Sequence, residues 1–127
     1  PFGISNKNSK KKMEAQIKHG YIQTGGSGVT DNSKTKSSNL EIFEAEFKIG
    51  DEILKYRNKN LAIKIDVEGH EIYVLQGIEK LLKLNKCILQ IELFDKNFPI
   101  VNSYLNNSGY KNIDNVKERS NYFYSNF

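Results

Sequence analysis

The order strand, helix, strand over residues 61–93 is the feature of this sequence that most restricts its fold. Leu61–Ile65 is a short and nearly continuous apolar run, which is typical of a buried parallel strand. His70–Leu84 follows as a predicted amphipathic helix, with apolar residues at three- and four-residue steps. Cys87–Leu93 is a second apolar strand. This order predicts an α/β protein in which the two strands pair in parallel through a right-handed crossover.

The residue pattern after this unit predicts one more helix and a hairpin. Pro99 suits the first turn of a helix, and Gly109 suits the position just beyond its end. Tyr110–Val116 and Tyr122–Phe127 have the composition of strands. Because their connection is short, we expect an antiparallel hairpin at the edge of the sheet.

The chain before this unit is less regular. Residues 1–39 are polar and show no clear period, and Thr24–Asn39 has the composition of a long flexible loop. Leu40–Phe47 alternates loosely and suits a strand, and Gly50 opens a short helical turn. We therefore expect two parts, an N-terminal segment with a flexible loop over 1–39 and a folded unit over 40–127.

Charge and cysteine content argue against several classes of function. The formal net charge is +4, and the run Lys10–Lys12 contains no aromatic residue, so a solvated surface is expected and nucleic acid is not a predicted partner. The single cysteine, Cys87, cannot form a disulfide within the chain and is expected to be buried. No apolar run approaches the length of a membrane span, so we expect a cytoplasmic protein without a membrane partner.

The segment Lys64–Glu71, which reads Lys-Ile-Asp-Val-Glu-Gly-His-Glu, carries the candidate chemistry. Asp66 and Glu68 follow a buried strand, and Glu92 falls near the same end of the next strand. In open α/β sheets ligands bind at the carboxyl ends of the strands. We therefore predict that these three carboxylates and His70 converge there and form a catalytic site.

Each candidate also has a purely structural interpretation. Asp66 can pair with Lys64 or complement the helix dipole, and Glu68 can be a solvated residue at the start of the helix. His70 can be a polar surface residue, and Glu92 can be satisfied by backbone amides. The three carboxylates have the oxygen chemistry that magnesium prefers, but their spacing alone does not assign a metal, and none is predicted.

The same string resembles the signature of FkbM-type methyltransferases, in which a Lys-Ile-Asp-Val-Glu-Gly strand end precedes a helix. Four further elements are similar to the family pattern and occur in its order: Ile49–Leu54, Val74–Gly77, Ile91–Glu92 and Leu105–Tyr110. Gly50 stands where the family usually has Thr or Ser. The resemblance covers the chain from about residue 46 to its end.

The resemblance implies a class I methyltransferase fold, with a mostly parallel, Rossmann-like sheet, helices on both faces and an antiparallel edge hairpin. It implies S-adenosylmethionine as cofactor and methyl transfer, with the hydroxyl of a sugar, glycan or small metabolite as the expected acceptor. One of Asp66, Glu68 and His70 would then be the general base, and Glu92 would orient the acceptor.

The cofactor-binding residues remain unassigned by the sequence. Gly25–Gly28 is the one glycine-rich candidate, but a polar, serine-rich stretch follows it where a helix is required. We therefore expect the chain to be the C-terminal half of the domain, a fragment that is inactive alone. The alternative is a non-catalytic α/β module that binds a partner. No oligomeric state is predicted.

Overall fold

The structure, a computed structural model, describes residues 2–30, 39–116 and 120–127. Over these residues the chain forms strands and helices in the order β1 (Gly3–Ser5), β2 (Ser9–Lys18), β3 (Tyr21–Val29), β4 (Leu40–Ile49), α1 (Gly50–Ile53), β5 (Asn60–Ile65), α2 (Glu71–Gly77), α3 (Glu79–Leu84), β6 (Lys86–Glu92), α4 (Phe98–Asn107), β7 (Lys111–Val116) and β8 (Asn121–Ser125). The strands divide between two four-stranded sheets.

The first sheet has the strand order β1-β4-β2-β3. β2 and β3 form an antiparallel hairpin in which Lys18 pairs with Tyr21. The turn residues His19 and Gly20 have φ of 52° and 78°. Positive φ at both positions is typical of the type I′ turn, whose twist matches that of the strands. β4 is antiparallel to β2 and β1 is parallel to β4, so this sheet takes strands from both sides of residue 39.

The second sheet has the strand order β5-β6-β8-β7. β5 and β6 are parallel, with Leu61 opposite Cys87 and Ile65 opposite Ile91. β8 is antiparallel to β6, and β7 completes the hairpin at the edge. The predicted strand-helix-strand unit and the predicted C-terminal hairpin are therefore confirmed.

Two predictions about the strands are wrong. The sheets are not mostly parallel, because four of the six strand pairings among the described residues are antiparallel. The flexible loop predicted from Thr24 is wrong as far as Val29, because β3 pairs with β2 there. A glycine-rich strand has few side chains to produce an alternating pattern, which explains the error. Residues 31–38 of the predicted loop lie outside the described residues.

The predicted helix over 70–84 is two helices that break at Ile78, where φ is −119°. Gly77 precedes the break, and a side-chain carbon at this position would overlap the carbonyl oxygen of Ser5 in β1. Glycine at this position therefore lets β1 run directly over α2. This contact joins the first sheet to the helices of the second.

The helices pack on one face of the second sheet. On that face Cys87, Leu89 and Ile91 are fully buried, whereas Ile88 on the opposite face is 40% exposed. The buried residues form one apolar cluster: Ile65, Val74, Leu75, Ile78, Leu81, Leu82, Cys87, Leu89, Ile91, Leu93, Val101, Leu105, Tyr110 and Tyr124. Helices on both faces, which the resemblance implied, are not found among the described residues.

Candidate functional site

A tight turn joins β5 to α2 and places the candidate residues. Glu68 and Gly69 have φ of 50° and 99°, and the His70 amide donates to the carbonyl oxygen of Val67 at 3.2 Å. A non-glycine residue in the left-handed region needs support from its surroundings. The turn leaves Asp66 at the strand end, Glu68 at its apex and His70 at the start of α2.

Glu71 supplies that support, although its sequence position predicted no role for it. Its side chain is 1% exposed. One carboxylate oxygen accepts a hydrogen bond from the Gly69 amide at 2.7 Å, and the other accepts one from Asn97 Nδ2 at 3.1 Å. Glu71 therefore fixes the turn to α4. The only signal in the sequence was an acidic residue in the first turn of a helix, which is too common to single out Glu71.

Asp66 and Glu92 lie side by side at the ends of neighbouring parallel strands. Ile65 is opposite Ile91 in the register of β5 and β6. Asp66 and Glu92, the residues that follow them, are therefore opposite each other as well. Burial raises the pKa of Glu92, and the carboxylates of Asp66 and Glu68 raise it further. The three carboxylates are thus close enough to interact, whereas His70, the fourth residue of the predicted cluster, lies against Ser5 of the first sheet.

Lys64 partly balances this negative charge. Its Nζ lies 2.8 Å from Asp66 Oδ2, and this hydrogen bond raises the pKa of Lys64. Both side chains are more than a third exposed, so the ion pair contributes little to stability. The Lys64–Asp66 ion pair, which was the structural alternative to a catalytic role for Asp66, is therefore present. The Asp66 carboxylate nevertheless also interacts with Glu92.

His70 faces the first sheet. It is 6% exposed, and its Nε2 lies 3.1 Å from Ser5 Oγ and 3.5 Å from Lys11 Nζ. Its ring packs edge-on against Phe47 and is tilted against Tyr73. Burial and the charge of Lys11 lower the pKa of His70 to about 4. His70 is therefore a neutral, buried residue at the junction of the two sheets. The alternative prediction that His70 is a polar surface residue is wrong.

The described residues do not supply the glycine-rich cradle of a methyl-donor site. Gly25–Gly28 belongs to β3, a strand of an antiparallel hairpin, and not to a turn that begins a helix. Within the same residues no group of three His, Cys, Asp or Glu side chains is arranged to hold a metal ion. No helix in the described part of the chain is long and apolar enough to cross a membrane.

The fold and the site define an α/β domain in which three carboxylates gather at the carboxyl ends of two parallel strands, the position at which such domains bind ligands. The model of the family described as the methyltransferase FkbM domain matches residues 12–111. The chain therefore belongs to the FkbM methyltransferase family, as the resemblance of its central motif indicated. No curated protein and no solved structure matches the chain.

Proposed function

We propose that the protein takes part in S-adenosylmethionine-dependent methyl transfer to a hydroxyl group of a sugar, glycan or other small metabolite. The observation that carries the proposal is the Glu92 carboxylate, whose pKa is raised by burial and by Asp66 and Glu68 at the ends of β5 and β6. A carboxylate with a raised pKa is a stronger base than an ordinary one. Family membership supports the reaction class.

In this proposal Glu92 is the general base and Asp66 and Glu68 line the acceptor site. The acceptor hydroxyl would give its proton to the Glu92 carboxylate as its oxygen bonds to the methyl group. The methyl–sulfur bond would break with its electron pair staying on sulfur, so that the neutral thioether S-adenosylhomocysteine leaves. Asp66, whose Oδ2 accepts a hydrogen bond from Lys64 Nζ at 2.8 Å, lies beside Glu92, where it can orient the acceptor. His70 is a weaker candidate for the base than the sequence suggested, because a group with a pKa of about 4 binds a proton weakly.

S-adenosylmethionine supplies a methyl group made electrophilic by its sulfonium. Since the described residues contain no glycine-rich loop before a helix, we assign none of them to the cofactor. We propose that they form the acceptor side of the domain. The second candidate function is that of a non-catalytic module that binds a partner. Calorimetric titration with S-adenosylmethionine tests it, because saturable binding of the cofactor would contradict a non-catalytic role.

A Glu92→Gln variant tests the assignment of the base. In the full reading frame that contains these residues, we expect methyl transfer from radiolabelled S-adenosylmethionine to a panel of sugars and glycans to fall by about 100-fold or more. Wild-type activity should decline as pH falls through the raised pKa of Glu92, because the protonated carboxyl cannot accept the proton. The variant should lack this acidic limb.

Glu44→Gln is the matched control, because Glu44 is an exposed carboxylate that pairs with Lys10 on the first sheet. Its activity should equal that of the wild type. Undiminished methylation in Glu92→Gln would remove Glu92 from the mechanism. Undiminished methylation in both Asp66→Ala and Glu68→Ala would show that the acceptor site lies elsewhere.

A further inference from the structure

We infer that Glu71 and Asn97 are positioning residues for the proposed acceptor site, and this inference rests on the proposed function. Their hydrogen bond ties the turn after β5, which carries Asp66 and Glu68, to the segment after β6, which follows Glu92. The tie therefore joins the two parts of the chain from which the three carboxylates project.

The Glu71 carboxylate bridges the two parts of the chain with both of its oxygens. Oε1 accepts a hydrogen bond from the Gly69 amide, inside the turn, at 2.7 Å. Oε2 accepts one from Asn97 Nδ2, at the start of α4, at 3.1 Å. The turn and Asn97 are also in contact, because a side-chain carbon built on Gly69 would lie 3.6 Å from Asn97 Nδ2. The two parts of the chain therefore meet at the point where Glu71 joins them.

The side chain of Asn97 does not have the usual role of its position. Asn97 is the N-cap residue of α4, where an asparagine side chain normally accepts a hydrogen bond from an amide of the first turn. In α4 as described, the Asn97 side chain makes no such bond. Its amide group donates to Glu71 instead, so it stabilises the neighbouring turn and not the start of its own helix.

The burial of Glu71 indicates that its main role is not to add stability. Its side chain is 1% exposed, and a carboxylate in such a position loses nearly all of its hydration. None of the ion pairs among the described residues includes Glu71, so its hydrogen bonds must compensate for that loss. A buried charge adds little net stability, and in some proteins it selects one geometry among several. Here the selected geometry is that of the turn with Glu68 at its apex.

The conformation of the turn determines where the Glu68 carboxylate lies. Glu68 has φ of 50°, which a glutamate adopts only with support from its surroundings. After burial and Asp66, the charge of Glu68 is a further cause that raises the pKa of Glu92, so these carboxylates interact in this conformation. Loss of the tie should let Glu68 return to a negative φ, which would carry its carboxylate away from Glu92.

An Asn97→Ser variant tests the tie without any need for catalysis. Serine is too short to replace the bond to Glu71, but it is a preferred N-cap residue and can still stabilise the start of α4. Carbon-13 nuclear magnetic resonance of the glutamate carboxyl groups, followed against pH, should show a lower pKa for Glu92 in the variant than in the wild type. The Gly69 amide should exchange its proton faster by about tenfold or more, because its acceptor is no longer held in place.

Asn102→Ser is the matched control, because Asn102 belongs to the same helix and accepts a hydrogen bond of similar length, 3.0 Å, from the Tyr124 hydroxyl. The pKa of Glu92 and the exchange rate of the Gly69 amide should keep their wild-type values in this control. If the pKa does not decrease or the exchange rate does not rise in Asn97→Ser, or if both change equally in Asn102→Ser, the inference is overturned. If Asn97→Ser does not fold, Asn97→Ala and Asn102→Ala take the place of the two variants, with the same criteria.

Activity in the full reading frame separates this inference from the proposed function. In Asn97→Ser the acidic limb of the pH profile should move to lower pH, and kcat should fall by about tenfold or more. A variant that only contained less folded enzyme would lose activity equally at every pH. If Glu92→Gln is inactive but Asn97→Ser has the wild-type profile, the inference fails and the proposed function stands. If the resonance and exchange changes occur but the wild type methylates no acceptor, the proposed function fails and the tie still positions the carboxylate cluster.

Discussion

At the residue scale, burial determines the chemistry of His70. The pKa of His70 is about 4 in the folded protein, whereas an unfolded histidine has a pKa of about 6.5. Between these values the unfolded chain binds a proton that the folded protein does not bind, so stability is complete above pH 6.5 and falls as the pH decreases towards 4. At about 1.4 kcal/mol per pH unit, this group alone lowers the free energy of unfolding by about 2 kcal/mol at pH 5.

Urea denaturation at pH 7.5 and pH 5 measures this loss. In a His70→Gln variant the corresponding decrease should disappear, although the variant is less stable at both values because Ser5 Oγ loses its partner. His19→Gln is the control, since His19 is exposed, and it should keep the wild-type dependence. The same dependence in His70→Gln and the wild type would show that His70 is not buried in its neutral form.

The residues of the carboxylate cluster were accessible to prediction, whereas those around His70 were not. Asp66 and Glu68 follow one strand that is evident in the sequence and Glu92 ends the next, and parallel strands bring their carboxyl ends together. Lys11 contacts His70 across 59 positions of the chain. That contact depends on how the first sheet packs on α2, and no local pattern reports such packing.

At the scale of elements, the strands of the second sheet could be predicted from the sequence, whereas those of the first sheet were harder to recognise. β5 and β6 were predicted because both are apolar runs, although only β6 lies between two strands and β5 forms an edge of its sheet. In β2 the inward positions include Lys11, Met13 and Ala15. A lysine and an alanine on the buried face hide the alternation that normally identifies a strand.

Gly77 provides a test of the contact between β1 and α2. A Gly77→Ala variant places a methyl group against the backbone of Ser5, which cannot move away as a flexible side chain would. We expect a loss of at least about 2 kcal/mol in the free energy of unfolding, measured by urea denaturation. The cost should exceed the gain in helix propensity of about 1 kcal/mol that alanine brings.

Gly28→Ala is the matched control for this prediction. At Gly28 the nearest atom to an added side-chain carbon is 3.8 Å away, an ordinary van der Waals distance. Its stability should change by less than about 1 kcal/mol. If Gly77→Ala were as stable as Gly28→Ala, β1 would not lie over α2 as described.

At the scale of the whole molecule, order should be greatest at β6 and decrease towards the edge of the second sheet. β6 lies between β5 and β8, and its inward side chains Cys87, Leu89 and Ile91 are fully buried. Every residue of β7 is exposed, and β8 is the one strand that pairs with it in the described part of the chain. Regions with few buried contacts open at low free-energy cost, whereas central strands open only in global unfolding.

Hydrogen exchange followed by mass spectrometry measures this gradient. Amides of β6 should exchange slowest and those of β7 faster by orders of magnitude, at every protein concentration if the chain is monomeric. Protection of β7 that rises with concentration would show that its edge pairs with a second copy, since an exposed strand edge is a template for another strand. Protection of β7 equal to that of β6 in dilute protein would contradict the position of β7 at the edge of the second sheet.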